Sequence, residues 1–188
     1  MTTGLRISVA EFERMIEAGA FHNCNRKIEL IRGELREMNP AGPLHDDLII
    51  YLTDWSTRVA NRSQVRVSVQ IGLDLREWES RPEPDLMWID ARRYRHRHPS
   101  ARDVKLAIEV ADSSLKTDLS EKAQLYAEAG VMEYWIVDAQ GKCVHVFRNP
   151  HDGAYQDRQT AKSGEFLLPL APCSSPLDLQ DLFEPTQE

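Results

Sequence analysis

The sequence predicts an α/β fold in which helices flank a central mixed β-sheet. Segments with helical spacing of apolar residues alternate along the chain with short segments rich in β-branched and aromatic residues. The segment 104–111 (VKLAIEVA) is apolar at almost every position, which is typical of a central strand covered on both faces. A length of 188 residues suits one domain, and we expect residues 1–188 to form it.

The first part of the chain predicts a helix, a hairpin and a second helix. Ser8 and Glu11 form a capping box ahead of apolar residues at helical spacing. Gly33 interrupts a segment rich in β-forming residues and predicts the turn of a hairpin. The predicted elements are a helix over 8–19, two strands within 27–38, a Pro/Gly break at 39–43 and a helix from His45 to about Ala60.

The second part of the chain predicts mostly strands, with one helix among them. Asp118 and Glu121 form another capping box, and Gly130 is typical of a helix end, so a helix is predicted between them. From Asn149 onward the sequence predicts loops, with one strand near Phe166–Leu168. The other predicted strands cover 64–73, 84–90, 104–111, 133–138 and 143–148.

The charge distribution bears on nucleic-acid binding. A formal net charge of −7 disfavours a protein that binds nucleic acid mainly through a basic surface. Between Arg92 and Lys105, however, six basic residues stand against one acid, Asp103. This segment is either a solvated loop or a contact to the phosphate backbone. The candidates for that contact are Arg92, Arg93, Arg95 and Arg97.

The sequence predicts a cytoplasmic protein without a membrane span. No apolar stretch approaches the ~20 residues that cross a bilayer, and the N-terminus lacks the apolar segment of a signal peptide. Cys24, Cys143 and Cys173 are widely separated and form no CxxC pair, which disfavours a disulfide framework and a zinc ribbon. His96 and His98 have no cysteine or acid at ligand spacing, so zinc is disfavoured there as well.

Three residues suggest a metal site. Glu109 interrupts an apolar strand, where a carboxylate is costly unless it is paired or bound to metal. Asp85 stands at the start of another apolar strand, and its ordinary alternative is a turn or cap residue. Lys122 shares the apolar stripe of its predicted helix, and its alternative is a snorkelling lysine. If the two strands are neighbours, the carboxylates can bind Mg²⁺, and the lysine can orient or deprotonate a water or stabilise charge on phosphorus.

Several sequence blocks resemble the Uma2 family, which consists of restriction-endonuclease-like proteins of the PD-(D/E)XK nuclease superfamily. The resemblance covers roughly residues 8–148 and implies a restriction-endonuclease-like core. The blocks are KIELIRGE (27–34) followed by His45, PDLMWID (84–90), VKLAIEVADSSL (104–115) and DLSEKAQLYAEAGVMEYWIVD (118–138).

The resemblance implies a role for each residue of this set. Asp85 and Glu109 would be metal ligands, and the backbone carbonyl of Val110 a further one. In the superfamily the catalytic lysine commonly stands two residues after the Glu, where this chain has Ala111. The resemblance therefore implies that Lys122 is the catalytic lysine, as is typical of this family.

Four further positions were considered. Two of them have both a functional and a structural interpretation, and the other two have a structural interpretation only. Glu29 matches an acidic position that helps to hold metal in related nucleases, and an internal ion pair is the alternative. His45 is either a hydrogen-bonded core histidine or a contact to a metal ligand or phosphate. Asp118 is interpreted as the helix cap, and Tyr126 as core packing above Lys122.

The resemblance implies an endonuclease that uses Mg²⁺ or Mn²⁺ to hydrolyse DNA phosphodiester bonds. It also implies a homodimer, since two copies can cut both strands. A second hypothesis from another class remains open: a catalytically silent nuclease-fold module that binds a protein or nucleic-acid partner. The acidic net charge motivates this alternative.

Overall fold

A mixed β-sheet with helices on both faces forms the centre of the computed structural model, which describes residues 4–24, 26–38 and 42–184. The strands are β1 (Ile28–Ile31), β2 (Glu34–Glu37), β3 (Val65–Val69), β4 (Leu86–Asp90), β5 (Val104–Ala111), β6 (Glu133–Asp138), β7 (Cys143–His151), β8 (Ala154–Lys162), β9 (Phe166–Leu167) and β10 (Leu177–Asp178). The helices are α1 (Val9–Glu17), α2 (Pro43–Val59), α3 (Leu115–Thr117), α4 (Ala123–Ala129) and α5 (Leu179–Phe183). A π-helical turn, Asp118–Lys122, joins α3 to α4, and 3₁₀ turns lie at Arg76–Trp78 and Ala101–Asp103.

Six strands form the main sheet of the described residues, in the order β3-β4-β5-β6-β7-β8. β5 and β6 are parallel, and every other neighbouring pair is antiparallel. Every residue of β5 is buried except Lys105, which is half-buried. This confirms the α/β fold with a central mixed sheet and the covered position of its most apolar strand.

Aromatic side chains attach the helices to the two faces of the sheet. On one face, α2 places Trp55 against Trp88 and Trp135, with ring centroids 5.4 and 6.1 Å apart. On the other face, α4 packs Tyr126 edge-on against Tyr134 at 4.9 Å. Each face thus has its own apolar cluster, and such burial is the main favourable term in folding.

The N-terminal elements follow the sequence prediction closely. Ser8 caps α1 and exchanges the reciprocal hydrogen bonds of a capping box with Glu11. β1 and β2 form an antiparallel hairpin that turns at Arg32 and Gly33, both with positive φ. A Cβ at position 33 would lie 2.9 Å from the Arg6 Cβ, so the turn requires glycine for space as well as for conformation. The predicted break at 39–43 falls largely on residues 39–41, which lie outside the described residues, and α2 begins at Pro43.

The predicted loop after Asn149 is wrong. β7 continues to His151, and β8 (AYQDRQTAK) returns beside it as the last strand of the sheet. Only Tyr155 and Ala161 of β8 are buried. An edge strand with most side chains in solvent needs few apolar residues, so β8 lacks the alternating pattern that identifies strands in a sequence.

The interpretation of Asp118 as a helix cap is also wrong. The helical segment begins earlier, at Leu115, and Asp118 lies within the π-helical turn. Its side chain is buried and accepts a hydrogen bond from the Ser114 hydroxyl. Asp118 and Glu121 match the spacing of a capping box, but Asp118 lies three residues after the start of the helical segment and therefore cannot cap it.

Across the ranges that the structure describes, no helix combines the length and the apolar character that crossing a membrane requires.

The Glu133 side chain, at the start of β6, contacts β7 and the segment around Leu170. It is 0% exposed, and the Arg148 guanidinium on β7 lies 2.6 Å from its Oε1. The Trp135 indole N–H also donates to Oε1, and the backbone N–H of Leu170 donates to Oε2 at 2.7 Å. Both carboxylate oxygens therefore have partners, as a buried charge requires.

Arg148→Met should destabilise the protein by about 3 kcal/mol, because it leaves the Glu133 carboxylate buried without its cation. Denaturant unfolding measures the change in the free energy of unfolding. Arg66→Met, which removes an exposed arginine from the edge strand β3, is the matched control and should change it by less than about 0.5 kcal/mol. Equal stability of the two variants would contradict the structural role of this ion pair.

Candidate active site

Asp85 and Glu109 face each other across the pair β4 and β5. The register that pairs Leu86 with Ile108 places Asp85, one residue earlier, opposite Glu109, one residue later. Both carboxylates are almost fully buried, at 5% and 4% exposure. The backbone N–H of Val110 donates to Asp85 Oδ2 at 2.8 Å and fixes the first carboxylate against the strand that carries the second.

Lys122 reaches this pair from the helical segment that covers the sheet. Its Nζ lies 3.1 Å from Glu109 Oε1 and 3.5 Å from Glu29 Oε2, and its side chain is 8% exposed. Lys122 is the last residue of the π-helical turn, a feature that often occurs at functional sites. Ala111, where the superfamily pattern has its lysine, packs instead in the apolar cluster beneath α4.

Tyr126 contributes a contact that the sequence analysis missed. Its hydroxyl donates to Glu109 Oε1 at 2.9 Å, although the residue was interpreted as core packing alone. The signal was its position four residues after Lys122, on the same stripe of the helix. Lys122 and Tyr126 both donate to Oε1, so among the described residues Oε2 of Glu109 is left for another ligand.

His45 lies near the start of α2 and faces Asp85. Its Nε2 is 3.5 Å from Asp85 Oδ2, and its side chain is 14% exposed. The hydrogen bond to Asp85 raises the pKa of His45, while burial opposes that rise. The structure thus places His45 against a predicted metal ligand, the second of the two environments considered for it.

The cavity at these residues is strongly acidic. It has a volume of about 270 Å³ and opens to solvent between the helical segment and the β1–β2 hairpin. Asp118, which the sequence analysis assigned to a cap, belongs to this cavity, and Glu29 both lines it and forms the ion pair with Lys122. The ionisable residues that line it include Glu29, His45, Asp85, Glu109, Asp118 and Lys122.

Burial and mutual repulsion govern the charges in the cavity. Burial raises the pKa of Glu109 well above its ordinary value, and the charges of Asp85, Asp118 and Glu29 raise it further against the opposing effect of Lys122. Burial also raises the pKa of Asp118. For Lys122 burial lowers the pKa, but the surrounding carboxylates outweigh this and raise it, so the side chain is an ammonium.

This donor set suits a hard divalent cation. Acidic groups outnumber basic ones in the lining of the cavity, so a cation would offset negative charge there. The carboxyl groups are those of Glu29, Glu37, Asp85, Glu109, Asp112, Asp118 and Glu121, and the basic side chains are those of Arg36, His45 and Lys122. The donors are all oxygen atoms, which Mg²⁺ and Mn²⁺ prefer. Asp85 and the free oxygen of Glu109 are the ligands that the geometry favours. A metal contact through the Val110 carbonyl or through Glu29 stays a prediction.

The predicted arginine contacts lie at the other end of the sheet. Asp85 and the loop after Asp90 are separated by the length of β4, about 17 Å for five residues of strand. Arg92 and Arg97 are both ion-paired with the buried Asp103.

The four arginines of this loop differ in whether other side chains contact them. The guanidinium groups of Arg92 and Arg97 lie 5.3 and 5.4 Å from the ring of Tyr94. Arg93 and Arg95 are exposed. A phosphate contact by any of these four arginines stays a prediction, and Arg93 and Arg95 are the more available ones.

The central mixed sheet of six strands with its flanking helices matches the fold of a solved structure. A solved structure described as a "putative nuclease belonging to DUF820" from Anabaena variabilis has the same fold: its TM-score is 0.71, at 14% sequence identity, over 94% of this chain and 97% of that chain. The chain belongs to the Uma2 family, whose model, described as "Putative restriction endonuclease", matches residues 9–178. Among curated proteins, no match to this chain is found.

The stability of the metal-free protein should fall as pH rises above 4.5, the ordinary pKa of a glutamate. Glu109 has a raised pKa in the folded state, so its protonated form stabilises the fold at low pH, and this contribution is lost as pH rises through the folded pKa. Asp118 and His45, whose pKa values are also raised, act in the same direction.

Glu109→Gln should flatten this decline, which urea unfolding at a series of pH values in the presence of a chelator would measure. Glu77→Gln, which removes an exposed carboxylate, is the matched control and should keep the wild-type profile. A Glu109→Gln profile as steep as that of the wild type would contradict the charge balance described for the cavity.

Proposed function

We propose that this protein is a metal-dependent endonuclease that hydrolyses phosphodiester bonds of DNA with Mg²⁺ or Mn²⁺. The observation that carries the proposal is the convergence of Asp85, Glu109 and Lys122 on one acidic cavity. Membership of the family described as "Putative restriction endonuclease" supports the same reaction class.

In this proposal each residue has a distinct task. Asp85 and Glu109 hold the cation, with the Val110 carbonyl and Glu29 as further ligands. When bound, a divalent cation supplies Lewis-acid stabilisation of the negative charge on the phosphate. Hydrolysis adds one water: its oxygen bonds to phosphorus, the bond to the leaving oxygen breaks, and the leaving oxygen takes up the proton that the water gives up.

Lys122 acts in the proposal as a fixed positive charge. Its raised pKa keeps the ammonium protonated, so it is suited to donate a hydrogen bond to the water or to the phosphate and not to remove a proton. Its contacts to Glu109 and Glu29 hold it in position before substrate binds. His45, whose raised pKa favours the imidazolium, is placed beside Asp85 where a second positive charge can face a phosphate.

The proposal includes a cytoplasmic protein that acts as a homodimer. The free thiols of Cys24, Cys143 and Cys173 are compatible with a reducing compartment. A dimer would present two cavities to a duplex, one for each strand. Sedimentation of the purified protein tests the dimer, and a monomer at working concentration would exclude it.

Asp85→Asn and Lys122→Met should each reduce cleavage of a DNA substrate by on the order of 10²–10³-fold, because each removes a charge on which the transition state depends. Nicking and linearisation of plasmid DNA in Mg²⁺ or Mn²⁺ measure the effect. Lys116→Met, which removes an exposed lysine earlier in the same helical segment, is the matched control and should retain wild-type cleavage. If the wild-type protein cleaves neither single-stranded, duplex nor branched DNA, the proposal is wrong.

Divalent-ion binding separates the enzyme from the catalytically silent module. Calorimetry with Mg²⁺ and Mn²⁺ should show binding to the wild type and a loss of at least about tenfold in affinity for Glu109→Ala, which removes a ligand. Glu77→Ala should bind as the wild type does. No binding at millimolar concentration would favour the module, whose partner would then have to be sought by other means.

A further inference from the structure

Asp138, Cys143 and His145 bring three different ligand types together where β6 ends and β7 begins. The register pairs Asp138 with Cys143, and His145 follows two residues later on the same face of β7. Cys143 Sγ lies 4.0 Å from Asp138 Oδ2 and 3.8 Å from His145 Nε2, and the last two atoms are 4.0 Å apart. One oxygen, one sulfur and one nitrogen thus form a nearly equilateral triangle.

This triangle is close to the size that a tetrahedral zinc ion requires. Bonds of about 2.3 Å to sulfur and about 2.0 Å to nitrogen or oxygen place the ligand atoms roughly 3.3–3.6 Å from one another. The three pairs of ligand atoms, now 3.8–4.0 Å apart, therefore need to approach by about 0.3–0.7 Å. A thiolate and an imidazole favour a borderline cation such as Zn²⁺ over Mg²⁺.

The outer hydrogen bonds hold two of the ligand atoms toward the centre of the triangle. His145 Nδ1 lies 3.0 Å from the Thr160 hydroxyl on β8, and in the tautomer whose Nδ1–H donates to this hydroxyl, Nε2 has a free lone pair 3.8 Å from Cys143 Sγ. The backbone N–H of Gly141 donates to Asp138 Oδ1 at 2.8 Å, which leaves Oδ2 for the site. A Cβ at position 141 would collide with the Asp138 carboxylate, so a larger residue there would displace this proposed ligand.

We propose that Asp138, Cys143 and His145 form a second metal site, which binds Zn²⁺ and leaves a fourth position to water or an external ligand. The side chains of His145 and Asp138 are 22% and 13% exposed, so an ion can enter from solvent. The site differs from the acidic cavity in its sulfur and nitrogen ligands. β6 pairs Asp138 with Ala111 of β5, so both sites lie at the same end of the sheet.

Cobalt binding tests the site, because Co²⁺ replaces Zn²⁺ and reports a thiolate ligand by a near-ultraviolet charge-transfer band. The reduced, full-length protein is titrated with Co²⁺ in excess Mg²⁺, which competes for the acidic cavity. The wild type should show the band and lose it when Zn²⁺ is added. Cys143→Ser should lack the band, and Cys173→Ser, which removes another half-buried cysteine, should retain it.

Two further variants keep the test independent of folding defects in Cys143→Ser. Thr160→Val removes only the outer hydrogen bond and should weaken Zn²⁺ binding about 10–100-fold, while Thr160→Ser should restore it. Asp85→Asn should leave the cobalt band unchanged, so failure of the proposed nuclease activity does not affect this result. Absence of the band from wild-type protein, or its persistence in Cys143→Ser, would overturn the second site.

Discussion

The burial of the Glu109 carboxylate within the central strand is the constraint on which the rest of the site depends. A charge at that position must be compensated locally, because the surrounding strand residues are apolar and buried. Lys122 and Tyr126 supply part of the compensation at one carboxylate oxygen. The other oxygen has no hydrogen-bond donor among the described residues and belongs to the lining of an acidic cavity, which a cation would occupy in the proposed function. The helical segment over the sheet, with its π-helical turn, serves to bring the lysine to this point.

The two buried glutamates in the adjacent parallel strands differ in how fully hydrogen-bond donors surround their carboxylates. Glu133 begins β6, and both of its oxygens are matched by an arginine, an indole N–H and a backbone N–H. Glu109, near the end of β5, has donors on one oxygen and further carboxylates nearby. Both are buried, at 0% exposure for Glu133 and 4% for Glu109, and they differ in how completely donors surround their oxygens.

Much of the fold was predictable because the central elements carry strong local patterns. The apolar runs gave β5 and β6 at their observed bounds, and the capping box at Ser8 marked the start of α1. The edge strand β8 was missed because its exposed side chains leave no apolar periodicity. Within the site, Glu109 and Lys122 stood out as charges in apolar patterns, whereas Asp118 resembled an ordinary cap. The meeting of Asp138, Cys143 and His145 depends on the hairpin register, which the spacing of these residues alone does not specify.

The placement of Lys122 on a helical segment changes what determines the geometry of the site. A lysine two residues beyond Glu109 on the same strand would be held by the covalent geometry of the backbone. Here the separation of ammonium and carboxylate is set by how the helix packs on the sheet, through contacts such as Tyr126 against Tyr134. Tolerances in such packing are wider than those of bond lengths and angles. The distance between the Lys122 ammonium and the Glu109 carboxylate therefore depends on packing in the apolar core. Residues that do not contact the cavity thus contribute to the geometry of the site.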